Sequence, residues 1–280
     1  MSRFLILDGY PESDREKFKD VGMTLAGELY HQMLSRHVKT SEGEIIFTSD
    51  STELLDKEFI SKFSGILWPG CSLTVYNDDW RVKKMLEIAR TGFELGLPQF
   101  GSCWAAQVAV HLVGGKVSPH PLGREIGIAR RIKRSEVGTK HPMHLGKPDV
   151  FEAFSSHDDF IEMIPKEFSP ALTKNDWCEV QSVVIKYLNG EFWATQYHPE
   201  YNFKEMAKLL LARTEKLIKQ NYFHDENEVR QLHDDFVLMH DGPNKHLLWK
   251  YGVGEGLQDE KLREKEFSNW LEKFFPNLLK

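Results

Sequence analysis

Cys103 stands between a short apolar run at residues 97–100 (LPQF) and a helical run at 104–112 (WAAQVAVHL). A cysteine on such a strand-to-helix turn presents its sulfur at the carboxyl edge of a sheet, and the positive end of the helix favours the thiolate. Gly101 permits close backbone approach at the turn. The chemistry this predicts is nucleophilic attack on an acyl carbon; a buried core cysteine beside Trp104 is the plain alternative. His198 and Glu200 lie in QYHPEYNF, directly after the run EFWAT, and Pro199 stiffens the tripeptide between them. A histidine near a thiol takes its proton, and a carboxylate on the far ring nitrogen fixes the imidazole tautomer. Here the alternative is a strand-end turn carrying a solvated His and Glu.

Three residues so far apart meet only if strands deliver them to one edge. Residues 3–8 (RFLILD), 44–48 (EIIFT), 65–68 (GILW) and 97–100 read as short buried strands. Between them, 16–36 has helical spacing, with Phe18, Val21, Leu25, Leu29 and Met33 on one face, and 79–95 is a second amphipathic helix. Such alternation predicts an α/β fold: an open, mostly parallel sheet flanked by helices, of flavodoxin-like type. Residues 117–156 read as short strands joined by exposed loops. Residues 180–187 and 191–196 read as a hairpin turned by Asn189-Gly190, and helix resumes over 203–220. Residues 1–220 are therefore expected to form the α/β domain, and 221–280, charged and helical in pattern, a C-terminal helical extension.

The chain has 280 residues, 41% of them hydrophobic and 28% charged, which allows a sizeable core. The net charge of −6 makes nucleic acid a poor partner. No apolar stretch approaches the ~18 residues of a membrane span, and the first residues lack the features of a signal peptide. Cys71, Cys103 and Cys178 are too few and scattered for a disulfide framework, so a reducing, cytoplasmic setting is expected.

Taken together, LPQFGSCWAAQVAVHLVGGKV and EFWATQYHPEYN resemble the class I, or triad, glutamine amidotransferase domain, with its Cys elbow and downstream His-Pro-Glu. GILWPGCSLTVYND resembles the family's oxyanion segment, and SSHDDF a Ser-His-x-Asp segment of the subgroup near GMP synthetase. The resemblance implies that Cys103 attacks a γ-glutamyl amide to give a thioester, with His198 as acid and base and Glu200 orienting it. It implies an oxyanion hole from the N–H groups of Gly70 or Cys71 and of Trp104. Gln107 would lie near the amino-acid end of the substrate, and His157 and Asp158 would help hold its amino group. No cofactor or metal is implied. The chain departs from the family pattern in two places. Ala105 replaces the usual Gly, which predicts a tighter or reshaped pocket, and Pro69-Gly70 replaces Gly-Gly, and Pro69 has no N–H to donate.

Other residues admit two readings. Tyr76 and Asn77 lie on the loop approaching the nucleophile and are candidates for contact with the substrate, and Glu125, in the segment GREIG, either contacts substrate or makes a structural salt link. The motif DDW at 78–80 reads first as a helix cap. The expected partner is glutamine or another γ-glutamyl compound. Because no synthetase domain follows, ammonia transfer requires a separate synthetase subunit. DDW and HPEYN also resemble the stand-alone γ-glutamyl peptidases, and a non-enzymatic scaffold is the rival class. The aromatic-rich residues after 220 must bury themselves on the core, on a second copy in a homo-oligomer, or on a partner.

Overall fold

In the computed structural model, which describes residues 2–242 and 244–279, eleven strands are formed. They are β1 (Arg3–Asp8), β2 (Glu42–Phe47), β3 (Gly65–Trp68), β4 (Gln99–Ser102), β5 (Lys116–Pro119) and β6 (Glu125–Arg134). β7 (Val150–His157), β8 (Asp159–Met163), β9 (Thr173–Lys174), β10 (Ser182–Tyr187) and β11 (Gly190–Thr195) follow. The main sheet has the order β2-β1-β3-β4-β11-β10-β9-β6-β7, and β5 pairs with β8 alongside it. From β2 to β11 every neighbour is parallel. From β11 to β7 every neighbour is antiparallel. β4, which leads into Cys103, therefore sits between β3 and β11, which lead into Gly70 and His198.

Side-chain alternation along β1 shows how the two faces are filled. Leu5 and Leu7 join the cluster built with the helices Trp80–Leu95 and Trp104–Leu112. Phe4 and Ile6 join Tyr30, Met33 and Leu34 of the helix Ala26–His37 on the other face. Into that second face the chain also inserts its last long helix, Lys265–Phe274. Phe267 lies 5.2 Å from Phe100, Trp270 6.1 Å from Phe4, and Phe275 5.0 Å from Phe4, between ring centroids. The helix Glu226–Asp241 packs instead near the strand ends, with Phe236 5.5 Å from Phe203. The aromatics after residue 220 are thus covered largely by the chain's own core. Polar contacts fix the docking: the buried Glu266 accepts from Tyr197 Oη at 2.6 Å, and Glu264 holds Arg36 and His37.

Several elements differ in detail from the sequence reading. The helix expected over 16–36 is two helices, Glu12–Asp20 and Ala26–His37, because Gly22 at φ 67° turns the chain between them. The hairpin closes one residue earlier than expected: Tyr187 pairs with Gly190, so Leu188 and Asn189 form the turn, with Leu188 at φ 49°. The helix expected over 203–220 is broken at Arg213 into Phe203–Ala212 and Thr214–Lys219. Asp79 is a helix cap, its carboxylate accepting from the Arg81 N–H at 2.9 Å. No helix among the described residues is long and apolar enough to cross a membrane.

The aromatic docking of the last helix has a measurable consequence. Trp270→Ala is expected to lower stability by about 3–5 kcal/mol in urea titration, the usual cost of emptying a buried aromatic site. Trp249→Ala, at a side chain 84% exposed, is expected to stay within about 0.5 kcal/mol of wild type. Equal effects would show that the last helix does not carry the core.

Candidate active site

Cys103 occupies the turn between β4 and the helix Trp104–Leu112 with φ 55° and ψ −102°. A side chain other than glycine at positive φ is strained by roughly 1–3 kcal/mol and persists only when its surroundings hold it. Here the Cys103 N–H donates to the Thr195 carbonyl at 2.6 Å, tying the elbow to β11. Below it, a Cβ on Gly101 would lie 2.4 Å from the Ala105 methyl and 2.6 Å from the Trp68 carbonyl oxygen, so glycine is required. The same contact shows where the Ala105 methyl goes. It packs against Gly101, and Ala105 is not among the residues that line the cavity.

β11 ends two residues before Tyr197, and the turn that follows carries the base. His198 is buried, its N–H bonded to the Phe154 carbonyl at 2.8 Å, and its ring stacks on Tyr201 at 4.2 Å with an interplanar angle of 2°. Nδ1 meets Glu200 Oε1 at 2.7 Å, and that oxygen also accepts from Ser102 Oγ at 2.9 Å. Nε2 is thereby left for chemistry. Burial works against the imidazolium, but the Glu200 charge and the hydrogen bond and charge of Cys103 outweigh it, and the pKa is pushed up to about 9. Gln196 Nε2 approaches the Cys103 sulfur at 3.7 Å from the same turn.

The segment expected to hold the oxyanion follows β3. Gly70 follows Pro69 where the strand ends, and a Cβ there would sit 2.7 Å from His198 Cε1. Glycine is therefore demanded by the imidazole as much as by the loop. Cys71 Sγ accepts from the Leu73 N–H at 3.4 Å, folding the loop back, and burial pushes the Cys71 thiol well up, as it does the Cys178 thiol. Neither is suited to act as a thiolate.

A cavity of about 790 Å³ opens above the elbow and is lined by Cys71, Cys103, Trp104, Gln107, His157 and Asp158 among others. Gln107 is anchored by donating to the Asp159 carbonyl at 3.1 Å. Tyr76 and Glu125 do not line this cavity. Tyr76 Oη donates to Asp159 Oδ1 at 3.1 Å. Glu125 is buried beneath, meeting His157 Nε2 at 3.0 Å, Asn175 at 2.7 Å and Gln181 at 2.9 Å. Of its two sequence readings the structural link is the one its contacts fit. Glu125, His157 and Cys178 bring potential metal-ligand atoms within 4.8 Å of one another, but the Glu125 oxygens are filled by these hydrogen bonds. Asp158 is held by Arg124 and by Lys216 and Gln220, at 2.6 and 2.9 Å for the latter two, so its carboxylate is already neutralised. Its neighbour Asp159 also lines the cavity, with only Tyr76 on its carboxylate, and burial raises its pKa. In SSHDDF it is Asp159 that stands fourth from Ser156, the acid position of a Ser-His-x-Asp segment.

Three residues around the sulfur and its cavity carry no signal in the sequence. Arg124 directly precedes Glu125 in the GREIG segment, and strand alternation sends the two side chains to opposite sides. Arg213 gave no signal, since it sat inside an expected continuous helix. Gln196 directly precedes YHPE, and its nearness to the sulfur follows from the β11–β4 pairing.

A family model described as glutamine amidotransferase class-I matches residues 18–217. A gamma-glutamyl-L-1-hydroxyisopropylamide hydrolase from a Pseudomonas species is 28% identical over 276 residues, 96% of this chain and 92% of that protein. A glutamine-hydrolysing GMP synthase from Enterococcus faecalis is 29% identical over 187 residues, 66% of this chain and 33% of the synthase, so the chain spans about a third of that relative. A solved glutamine amidotransferase from Thermotoga maritima shares the fold with a TM-score of 0.67 at 16% identity, covering 98% of this chain and 97% of its own. The matched residues include the cysteine elbow, the glycine turn after β3 and the His-Pro-Glu turn, and the chain belongs to the class-I glutamine amidotransferase family.

Proposed function

We propose that the protein hydrolyses a γ-glutamyl amide through a thioester on Cys103. The observation that carries this reading is the His198–Glu200 contact of 2.7 Å, set beside a strained cysteine elbow at the mouth of a cavity. The Cys103 thiolate attacks the γ-carbonyl carbon. The oxyanion is met by the N–H groups of Gly70 or Cys71 and of Trp104, a stabilisation of roughly 3–4 kcal/mol per donor. His198, protonated at Nε2, gives its proton to the departing nitrogen, and the amine leaves. Neutral His198 then takes a proton from water, the hydroxide attacks the thioester, and glutamate departs as the thiolate is restored. Glu200 keeps the Nδ1 proton in place throughout. At the amino-acid end, Gln107 and His157 border the substrate, and Asp159 is a better partner for its ammonium than the neutralised Asp158.

Free-standing hydrolysis is supported by the Pseudomonas hydrolase, whose length this chain nearly spans and whose name gives a γ-glutamyl amide as its substrate. The second reading, ammonia supply to a separate synthetase subunit in a reducing cytoplasm, is supported by the likeness to GMP synthases, of which the chain spans one third. An assay of glutamate release from glutamine and a panel of γ-glutamyl amides separates the two: selective use of substituted amides supports the first.

Three outcomes are expected. Cys103→Ala abolishes glutamate release and His198→Ala nearly does so; wild-type turnover in Cys103→Ala would overturn the mechanism. Limited iodoacetamide treatment followed by mass spectrometry labels Cys103 ahead of Cys71 and Cys178, whose burial keeps them protonated. Because His198 must be cationic when the amine leaves, kcat/KM falls as pH rises through about 9. Glu200→Gln removes the charge that sustains the imidazolium, so this alkaline limb moves to lower pH. An unmoved limb would show that Glu200 does not tune His198.

A further inference from the structure

Arg213 stands where the helix over 203–220 breaks, with φ −111° and ψ 12° between Phe203–Ala212 and Thr214–Lys219. Its N–H still bonds back to the carbonyls of Leu209 and Leu210, but the break turns the side chain off the helix and into the cavity above Cys103. There Nη1 donates to Ser156 Oγ at 2.7 Å and Nη2 to Tyr10 Oη at 3.3 Å. Arg124 Nη1 donates to the same Ser156 hydroxyl at 3.0 Å. Two guanidinium groups thus converge on one hydroxyl, and the carbonyl oxygen of that same Ser156 lies 3.9 Å from the Cys103 sulfur. Arg124 is compensated by Asp158, whereas Arg213 makes no salt bridge among the described residues. Burial first, and the neighbouring Arg213 charge second, press the Arg124 pKa down. Burial works against the Arg213 cation, but Tyr10 and Tyr201 first, then Cys103 and Asp158, outweigh it and raise its pKa, so the group stays charged while its hydrogen bonds go only to neutral hydroxyls that a carboxylate can replace.

We infer that Arg213, with Arg124 behind it, binds the α-carboxylate of the γ-glutamyl substrate and so selects donors that carry that group. The inference rests on the γ-glutamyl hydrolysis proposed above and adds the residue that reads the acid end of the donor. The geometry supports the assignment because a single residue, Ser156, spans from the nucleophile to the guanidinium pair. A glutamyl unit likewise places its carboxylate one short aliphatic spacer from the carbonyl under attack. The planar guanidinium matches a carboxylate with two parallel hydrogen bonds, which a lysine cannot reproduce. Asp159, which opens β8 and lines the same cavity, is left for the ammonium, so the two charged groups on the α-carbon meet complementary partners. The cavity's remaining length, toward Glu226 and Arg230 of the helix Glu226–Asp241, is then available to the departing amine.

The test compares L-glutamine with glutamine α-amide, and γ-glutamyl derivatives of a neutral amine with those of an amino acid. Wild type is expected to prefer glutamine over its α-amide by roughly 10- to 100-fold in kcat/KM, the worth of a charge-assisted hydrogen-bond pair. Arg213→Gln is expected to lose that factor on glutamine and nothing comparable on the α-amide, so the preference collapses. Arg213→Lys recovers part of it. If wild type hydrolyses both with equal efficiency, or if Arg213→Gln slows both alike, the inference fails while γ-glutamyl hydrolysis stands. If the Arg213 effect follows the carboxylate of the leaving amino acid instead, the guanidinium serves the amine side and the inference also fails. A wild type inactive on every γ-glutamyl amide would overturn the hydrolysis reading itself. A misfolded Arg213→Gln leaves the wild-type preference to decide, and calorimetry of Cys103→Ala with glutamine and its α-amide repeats that comparison without turnover. Equal binding of the two overturns the inference.

Discussion

Everything in the site hangs on one backbone residue in an unfavourable conformation. Cys103 at φ 55° cannot hold itself there; the Thr195 carbonyl takes its N–H and the absence of a side chain at Gly101 lets the helix close down on Trp68 and Ala105. That requirement fixes the local order of strands. β4 must lie between β3 and β11 in parallel register, because β3 supplies the glycine turn and β11 both the anchoring carbonyl and the imidazole. The antiparallel half, from β10 outward, is free of that constraint and carries instead Ser156 on β7, with Asp158 just past its end and Asp159 opening β8 of the small sheet.

The imidazole is held as tightly as the sulfur. Glu200, Tyr201, the Phe154 carbonyl and the bare face of Gly70 restrict it from four directions. Of these groups it is Glu200, acting with Cys103, that outweighs burial and favours the protonated ring. The electrostatic support of Glu200 acts at 2.7 Å in a site from which water is largely displaced, where it is felt far more strongly than at a surface. The other Glu200 oxygen is buried with no hydrogen-bond partner among the described residues, while Oε1 takes both the histidine and Ser102.

Much of this was legible in the residues themselves. Short apolar runs ending in glycine or aspartate marked β1 and β3 to the residue, and the helices after Asp79 and Cys103 were readable from their spacing. The cysteine elbow and His-Pro-Glu turn were legible because each is a local motif at a strand end. What the sequence concealed was of two kinds. Gly22 and Arg213 interrupt runs whose apolar spacing continues across the break, so periodicity alone reads through them. Asp158 and Asp159 are chemically identical neighbours, and only the cations around the first distinguish them. The same holds for Glu125, whose burial among Asn175, Gln181 and His157 depends on strands far apart in the chain.

The docking of the helix Lys265–Phe274 against β1 also bears on the birth of the protein. Phe4 packs on Trp270 and Phe275, which are synthesised long after it. Until the helix Lys265–Phe274 is made, at a rate of roughly 5–20 residues per second, the part of the sheet face that it covers stays open to water. Through that interval Phe4, Leu67 and Phe100 are exposed together as a nascent apolar surface. This face of the sheet is thus completed only once that helix has been made, and the span before it is when a nascent-chain chaperone has the most to bind.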